Sequence, residues 1–512
     1  MYKILYDLTK QYQIIFLISS LIMSILIRYS IAPIDIPLTL DSLQYFLVAK
    51  DISNGLNFEE VYSKPNLGWP IFLSFIFNIT QMNNILDLMN MQRIVSIIFS
   101  SLTIIPLFYL AKKFFDSKIA IVASISFIFS PYIILNSFIG SNDSVFFFLI
   151  TIFFTLFFSS KKKLMIISFL MLSISSLFRY ESVIIIIPAL LFLLIKLRDK
   201  KFDKISLILV ITLSFVPIIL MMYYRISLGL SDGFISHFLS ASSIINYEQS
   251  IIKEPVESRF YLDRGIINFV KFSGLLFLPF SFIFIPFSIL SIFKKQKDFI
   301  IFVIFGIVSA IPALYAFSRG FLDIKYMFIL YPMLMISTLF FVEKLLSKFN
   351  SNNKILVVML VAIIIGSLII IENKIEDKLY YEESIKVANI ISKFDGKINQ
   401  YGKESYFVEP LTYINKNKID GSTFSKRYFI VINDEIENLN KLNKLVKDKN
   451  LKYLAITENN FKENDIFYNL YTNDNSYDFV NLVYDYTNEF KILKIKIFQI
   501  DSNKLEEFLI KN

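Results

Sequence analysis

Long apolar stretches separated by short charged loops recur through roughly the first three quarters of this 512-residue chain, and they leave it little choice of fold. They lie near 13–31, 91–111, 119–137, 144–159, 163–178, 181–197, 205–224, 266–293, 299–317, 326–343 and 354–372. Most approach the ~17–25 residues that carry an α-helix across a bilayer, and tilt accommodates the shorter ones. Backbone in lipid must satisfy its own hydrogen bonds, so the expected fold is an all-α polytopic bundle of about eleven transmembrane helices. The 55% hydrophobic content and mean hydropathy of +0.57 agree. Cysteine is absent, which excludes disulfides, thiolate catalysis and thiolate-bound zinc. A single histidine, His237, excludes a multi-histidine metal site.

Charge between the stretches orients the bundle. Alternate loops hold Lys112, Lys113 and Lys118, then Lys161 to Lys163, then Lys196, Arg198, Lys200, Lys201 and Lys204. Lys294, Lys295 and Lys297 follow, then Lys344, Lys348 and Lys354. The first intervening loop instead holds Asp35, Asp41, Asp51, Glu59 and Glu60 against Lys50 and Lys64. Basic residues collect on the cytoplasmic side, so the N-terminus is expected inside, the first apolar run acting as an uncleaved signal anchor. The same clustering explains the net charge of +9 without nucleic acid. This register requires that Leu67 to Thr80, which opens with Gly68-Trp69-Pro70, not cross. It reads as an outer interfacial or re-entrant helix anchored by the sole tryptophan.

Past residue 373 charged residues and asparagine become frequent. Tyr428 to Asn433, Leu451 to Thr457 and Phe490 to Ile500 read as strands, and Leu439 to Lys449 as an amphipathic helix. The expectation is therefore a membrane module over 1–372 and an extracytoplasmic α/β domain over 373–512.

Ionisable groups are costly in a bilayer, so those at outer span ends are the candidate site: Asp41, Lys64, Arg93, Asp143, Arg179, Glu181, Arg225, Arg319, Asp323 and Lys325. Carboxylates and cations in one cavity suit transfer of a sugar from a lipid phosphate. A carboxylate deprotonates or orients the acceptor, and cations stabilise the departing phosphate. Each also has a plainer reading. Asp41 and Asp143 sit where helix caps would, and Arg179 and Glu181 form a local hairpin pair. Lys64, Arg93, Arg225 and Arg319 snorkel, and His237 lies on a loop surface.

The order of marks resembles the GT-C glycosyltransferases, on the branch of protein O-mannosyltransferases and aminoarabinose-to-lipid-A transferases. Asp41-x-x-x-Tyr45 through Gly55 is similar to that branch's first outer loop. Tyr62 through Lys64-Pro65 and Gly68-Trp69-Pro70 resembles its Lys-Pro-Pro segment with juxtamembrane helices. Arg93, Leu110-Ala111-Lys112-Lys113, Ser130-Pro131-Tyr132, Asn142-Asp143-Ser144, Phe178-Arg179-Tyr180-Glu181, and Lys325-Tyr326 with Tyr331-Pro332 follow in the family's order. Many members carry a second acid after the first; here that position is Ser42, which weighs against a metal in this loop.

The resemblance implies a polyprenyl-phosphate-linked monosaccharide donor and inversion at the anomeric carbon, the acceptor being protein, lipid or glycan. It implies Asp41 as general base, Asp143 as orienting or assisting acid, and Tyr45 as a sugar contact or support. Lys64, Arg179 and Lys325 are the phosphate candidates, with Glu181 beside Arg179. No cofactor is required on this reading, and a divalent metal finds no support in the sequence. The alternatives are a transporter or flippase of lipid-linked saccharides, or a polymerase. Transporters place polar groups near the midplane of broken helices, whereas here the charges sit at span ends.

Overall fold

A computed structural model describes the chain except residues 1, 56–66, 81, 83, 199–202, 228–260, 277–296, 348–351, 373–377, 400–406, 421–428, 431–438, 458–465, 474–475, 492 and 512. Lys64, His237, part of the expected 266–293 span and the 372/373 boundary thus fall outside the described residues or at their edge. The helices are α1 (Tyr2–Ile31), α2 (Leu40–Ser53), α3 (Gly68–Thr80), α4 (Ile85–Leu102), α5 (Ile104–Phe114), α6 (Ser117–Ile128) and α7 (Pro131–Ser137). Then come α8 (Asp143–Phe157), α9 (Lys162–Phe178), α10 (Val183–Arg198), α11 (Lys204–Ser227), α12 (Leu262–Leu276), α13 (Lys297–Ser318), α14 (Tyr331–Ser347) and α15 (Asn352–Glu372).

Among the described residues, three helices are long and apolar enough to cross a membrane: Gln11–Ile31, Ile85–Phe114 and Lys204–Ser227. A fourth candidate is the pair α6 and α7, bent by 55°. Pro131 opens α7 and lacks the N–H that would continue α6, which accounts for the break. Shorter apolar helices, among them Gly68–Thr80, Asp143–Phe157 and Val357–Ile371, occupy several of the other expected segments.

Arg28, fully buried near the end of α1, lies beside this break. Its guanidinium donates to Ser100 Oγ (3.3 Å) and to the carbonyls of Ile128 (3.4 Å) and Phe127 (3.5 Å). A broken helix frees such carbonyls, and the arginine satisfies them where water is excluded. A group of phenylalanines packs in the interior: Phe153, Phe154, Phe157 and Phe305 meet largely edge to face, Phe157 and Phe305 at 5.2 Å.

Beyond α15 the structure becomes α/β: α16 (Lys378–Ile391), β1 (Lys397–Asn399), α17 (Val408–Asp420), β2 (Phe429–Ile430), α18 (Leu439–Lys449), β3 (Leu451–Thr457), α19 (Ile466–Thr472), β4 (Val480–Asp485), β5 (Ile495–Ile500) and α20 (Ser502–Lys511). Strand order is β2-β1-β3-β5-β4, parallel on the β2-β1-β3 side and antiparallel on the β3-β5-β4 side. Asn399 extends the ladder with its side chain, exchanging hydrogen bonds with Ala455 N (2.6 Å) and O (3.0 Å). Sequence periodicity misses β1, which is too short to show it, and β4, whose side chains are mostly exposed. The strand expected from Phe490 starts only at Ile495. Buried Glu383 of α16 captures the preceding turn, accepting from Lys491 N (2.9 Å) and Leu493 N (2.8 Å). The same helix touches the segment between α1 and α2, where Tyr381 donates to the Asp35 carbonyl at 2.9 Å.

Candidate active site

The site is assembled from helix starts and tight turns, where side chains leave the bundle. Leu40 enters α2 at φ +51, a left-handed conformation unusual for leucine, and Asp41 follows in the first helical turn. A carboxylate there meets the positive end of the helix dipole. Asp41 is half exposed, whereas Ser42 is fully buried and packed into the protein. Ser42, where the resemblance would allow a second acid, is therefore turned inward here. Four residues on, Tyr45 is buried, and burial pushes its phenol well above the usual range. Asp41 and Asp143 push in the same direction, while Arg179 and Lys325 oppose them. Those interactions place Tyr45 among both acids and both cations.

Asp143 begins α8, but it does not cap it: Asn142 holds the cap position and spends its amide on the Phe178 carbonyl (2.6 Å). Buried Asp143 instead accepts from Ser141 Oγ (2.7 Å) and from Arg179 Nη1. Arg179 ends α9, and a 3-10 turn (Tyr180–Ser182) follows it. Its Nε donates to Glu181 Oε1 at 3.2 Å and its Nη2 pairs with the same oxygen. The guanidinium also lies over the rings of Phe146 (5.6 Å) and Tyr326 (5.7 Å). Burial opposes its charge, but Glu181 and Asp143 outweigh burial and hold the arginine firmly protonated. Burial would raise the Glu181 carboxyl, yet Arg179 overcomes this and depresses it.

Lys325 comes from a second 3-10 turn (Ile324–Met327) before α14. Asp323 caps that turn by accepting from the Lys325 N–H at 3.0 Å. The ammonium then reaches two acids, Asp323 Oδ2 at 3.0 Å and Asp41 Oδ2 at 3.2 Å. Burial alone would lower this lysine; Asp41 and Asp323 reverse the sign and raise it. The side chain of Lys325 remains 26% exposed, so this cation is open to a ligand in a way that Arg179, at 7%, is not.

Asp41, Tyr45, Asp143, Arg179, Glu181, Asp323 and Lys325 thus lie together, although 284 positions separate Asp41 from Lys325. Other charges of the expected outer set have different work. Arg93 is a clamp, donating to the carbonyls of Ile36 and Phe138, both at 2.9 Å. Arg319 lies over the Tyr315 ring (5.7 Å), and Arg225 is buried at the end of α11.

Three residues that sequence reasoning gave no role at the site hold its walls in register. Gln92 Nε2 donates to both the Ser42 carbonyl (3.0 Å) and the Gly140 carbonyl (2.7 Å), joining the loop of Asp41 to the loop of Asp143. Trp69 Nε1 donates to the same Gly140 carbonyl at 3.1 Å. The tryptophan is thus fully buried rather than an interfacial anchor, a correction with a clear cause: its indole N–H has a partner inside the protein. Gly140 sits at φ +82, and a Cβ there would lie 3.1 Å from Leu38 Cδ2. An uncharged amide inside an apolar segment was the available signal for Gln92.

Comparison with known proteins agrees with this architecture. Residues 68–224 match the family profile of dolichyl-phosphate-mannose-protein mannosyltransferases. That region includes Asp143, Arg179 and Glu181 and begins after Asp41. ArnT from Cupriavidus metallidurans in the apo state is similar in structure with a TM-score of 0.57 at 10% identity, covering 96% of this chain and 99% of that one. ArnT from the same organism bound to undecaprenyl phosphate gives 0.54 at 9%, covering 96% and 98%. The Archaeoglobus fulgidus oligosaccharyltransferase in complex with Zn and sulfate gives 0.55 at 14%, covering 85% and 67%. No curated protein matches the sequence. The chain has the fold of the GT-C membrane glycosyltransferases, and the resemblance lies on the O-mannosyltransferase and ArnT side of that superfamily.

Proposed function

We propose that this protein is an inverting glycosyltransferase that moves one monosaccharide from a polyprenyl-phosphate carrier to an acceptor at the extracytoplasmic membrane face. The observation that carries the reading is the contact between Asp41 and Lys325, a half-exposed carboxylate 3.2 Å from a partly exposed ammonium. Base and phosphate-binding cation then belong to one site, and in-line displacement places the acceptor oxygen and the leaving phosphate on opposite faces of the anomeric carbon. The acceptor hydroxyl gives its proton to Asp41 as its oxygen bonds the anomeric carbon. The bond from that carbon to the phosphate oxygen breaks, and the electron pair leaves on the phosphate, which Lys325 stabilises. ArnT bound to undecaprenyl phosphate supports a donor of this class.

Arg179 takes a different part from Lys325. Its donors point at Asp143 and Glu181, so it holds Asp143 in place to orient the acceptor. Tyr45 supports the cluster from its buried side. Lys64 is a further phosphate candidate that lies outside the described residues.

The test is transfer of radiolabelled sugar from a polyprenyl phosphate by the purified protein in proteoliposomes. Asp41→Asn should abolish transfer while expression and insertion stay normal. Transfer at the wild-type rate by that variant would remove Asp41 from the role of base.

A further inference from the structure

The cluster holds Asp41, Asp143, Glu181 and Asp323 against Arg179 and Lys325. Arg179 pairs with Asp143 and Glu181, and Asp41 and Asp323 both reach the Lys325 ammonium. Their oxygens converge on Lys325 Nζ from 3.2 and 3.0 Å, the arrangement of a cation bridged by two carboxylates. The similar Archaeoglobus fulgidus protein forms a complex with Zn. With the ammonium in place the site does not suit such an ion: zinc takes about four ligands, and although one or two carboxylates with waters can hold magnesium, the space between these two is taken by Lys325 Nζ. Among the described residues, no group of three or more His, Cys, Asp or Glu side chains is placed to hold a metal.

We propose that the Lys325 ammonium is the resident cation of this site, bridging Asp41 and Asp323 and presenting its remaining donor to the leaving phosphate in place of a divalent ion. This inference rests on the sugar-transfer reading above. An ammonium has three N–H donors; one is hydrogen-bonded to Asp41, Asp323 pairs with the charge at 3.0 Å, and donor capacity is left for a ligand. Set against the same two carboxylates, an ammonium brings one positive charge where a divalent ion would bring two. Asp41 therefore stays a better proton acceptor than it would be on a metal. Asp323 acts here as a positioning residue: one oxygen fixes the Lys325 backbone and the other its ammonium. The Tyr326 ring completes the seat, 6.0 Å from Lys325 Nζ and 5.7 Å from Arg179 Cζ, so it spaces the two cations.

The experiment compares the full-length wild type with K325A, K325R and K325A/D323N in nanodiscs, assaying transfer from an undecaprenyl-phosphate hexose with excess EDTA or with Mn²⁺. Mn²⁺ binding is followed in parallel by electron paramagnetic resonance. Wild type is expected to transfer equally in both conditions and to bind no Mn²⁺ at the site. K325A should lose on the order of 10²-fold in EDTA, bind one Mn²⁺ between the vacated carboxylates and regain activity with it. K325A/D323N should lose that binding, and K325R, which keeps the charge, should stay insensitive to EDTA and controls for folding. Wild-type activity that EDTA abolishes and Mn²⁺ restores would overturn the proposal. So would K325A that keeps its rate in EDTA, or that neither binds nor responds to Mn²⁺. If the binding pattern holds but no variant transfers sugar from any polyprenyl donor, the sugar-transfer reading fails and the ammonium bridge stands.

Discussion

Replacing Arg179 by methionine keeps most of the side-chain volume and removes the charge that Asp143 and Glu181 share. Arg179 and Asp143 are 5% and 4% exposed, so water does not take over the abandoned carboxylate. Removing one partner of a buried pair costs about 3–5 kcal/mol. Ser141 still donates to the second oxygen of Asp143, which argues for the lower end, about 3 kcal/mol. Shifts run about 2–4 °C per kcal/mol in domains of 150–250 residues and less in larger ones, so a fall of roughly 5 °C in Tm is expected. The sole tryptophan provides the assay. Trp69 is buried and bound to Gly140, within the same cluster of loops, so its fluorescence reports unfolding there. Unfolding of a chain this large is expected to be irreversible, so variants are compared in nanodiscs at one scan rate. R179M/D143N, which removes both charges, should recover part of the loss. The pH dependence has a definite sign. Glu181 is depressed in the folded protein, so its stabilisation is complete above the unfolded carboxylate range, ~4.3, and disappears as pH falls through the lower folded value. The gap between wild type and R179M should therefore narrow in acid. An R179M protein with unchanged Tm, or a double variant less stable than the sum of its parts, would refute the claim that this pair bears load.

Gln92→Leu leaves the buried carbonyls of Ser42 and Gly140 without their shared donor. It should cost about 1–3 kcal/mol and lower kcat because the two acidic loops lose register, measured by Tm and transfer rate together. Gly140→Ala should cost about 1–2 kcal/mol through its left-handed φ and the close approach to Leu38, read by thermal unfolding; an unchanged Tm would show that the turn relaxes. Glu383→Ala removes the acceptor for two backbone amides and should speed proteolysis around Lys491, with no change expected if water replaces the carboxylate. A reporter fused after residue 380 should read extracytoplasmic, and a cytoplasmic signal would rule out the odd number of crossings.

Much of this protein is determined locally and can be read from its residues. Helices arise wherever an apolar run would otherwise strand its peptide groups in lipid, so α1, α4, α9 and α11 follow from composition and length alone. The amphipathic pattern of Leu439 to Lys449 announces α18, whereas 119–137 reads as one span and the structure breaks it at Pro131 into α6 and α7. The charges of the site are legible too, because ionisable groups at the ends of apolar spans are too costly to be idle. Partnership is not legible. Asp41 meets Lys325 across 284 positions, and Asp143 meets Arg179 across 36, because helix ends converge on one face of the bundle. Local pattern carries no term for that convergence. It was likewise packing that turned Ser42 and Trp69 inward, gave Gln92 its two carbonyls, and left Lys325 open while closing Arg179 in. Sequence chose which groups bear charge; the arrangement of helices chose which of those charges neutralise one another and which still face a substrate.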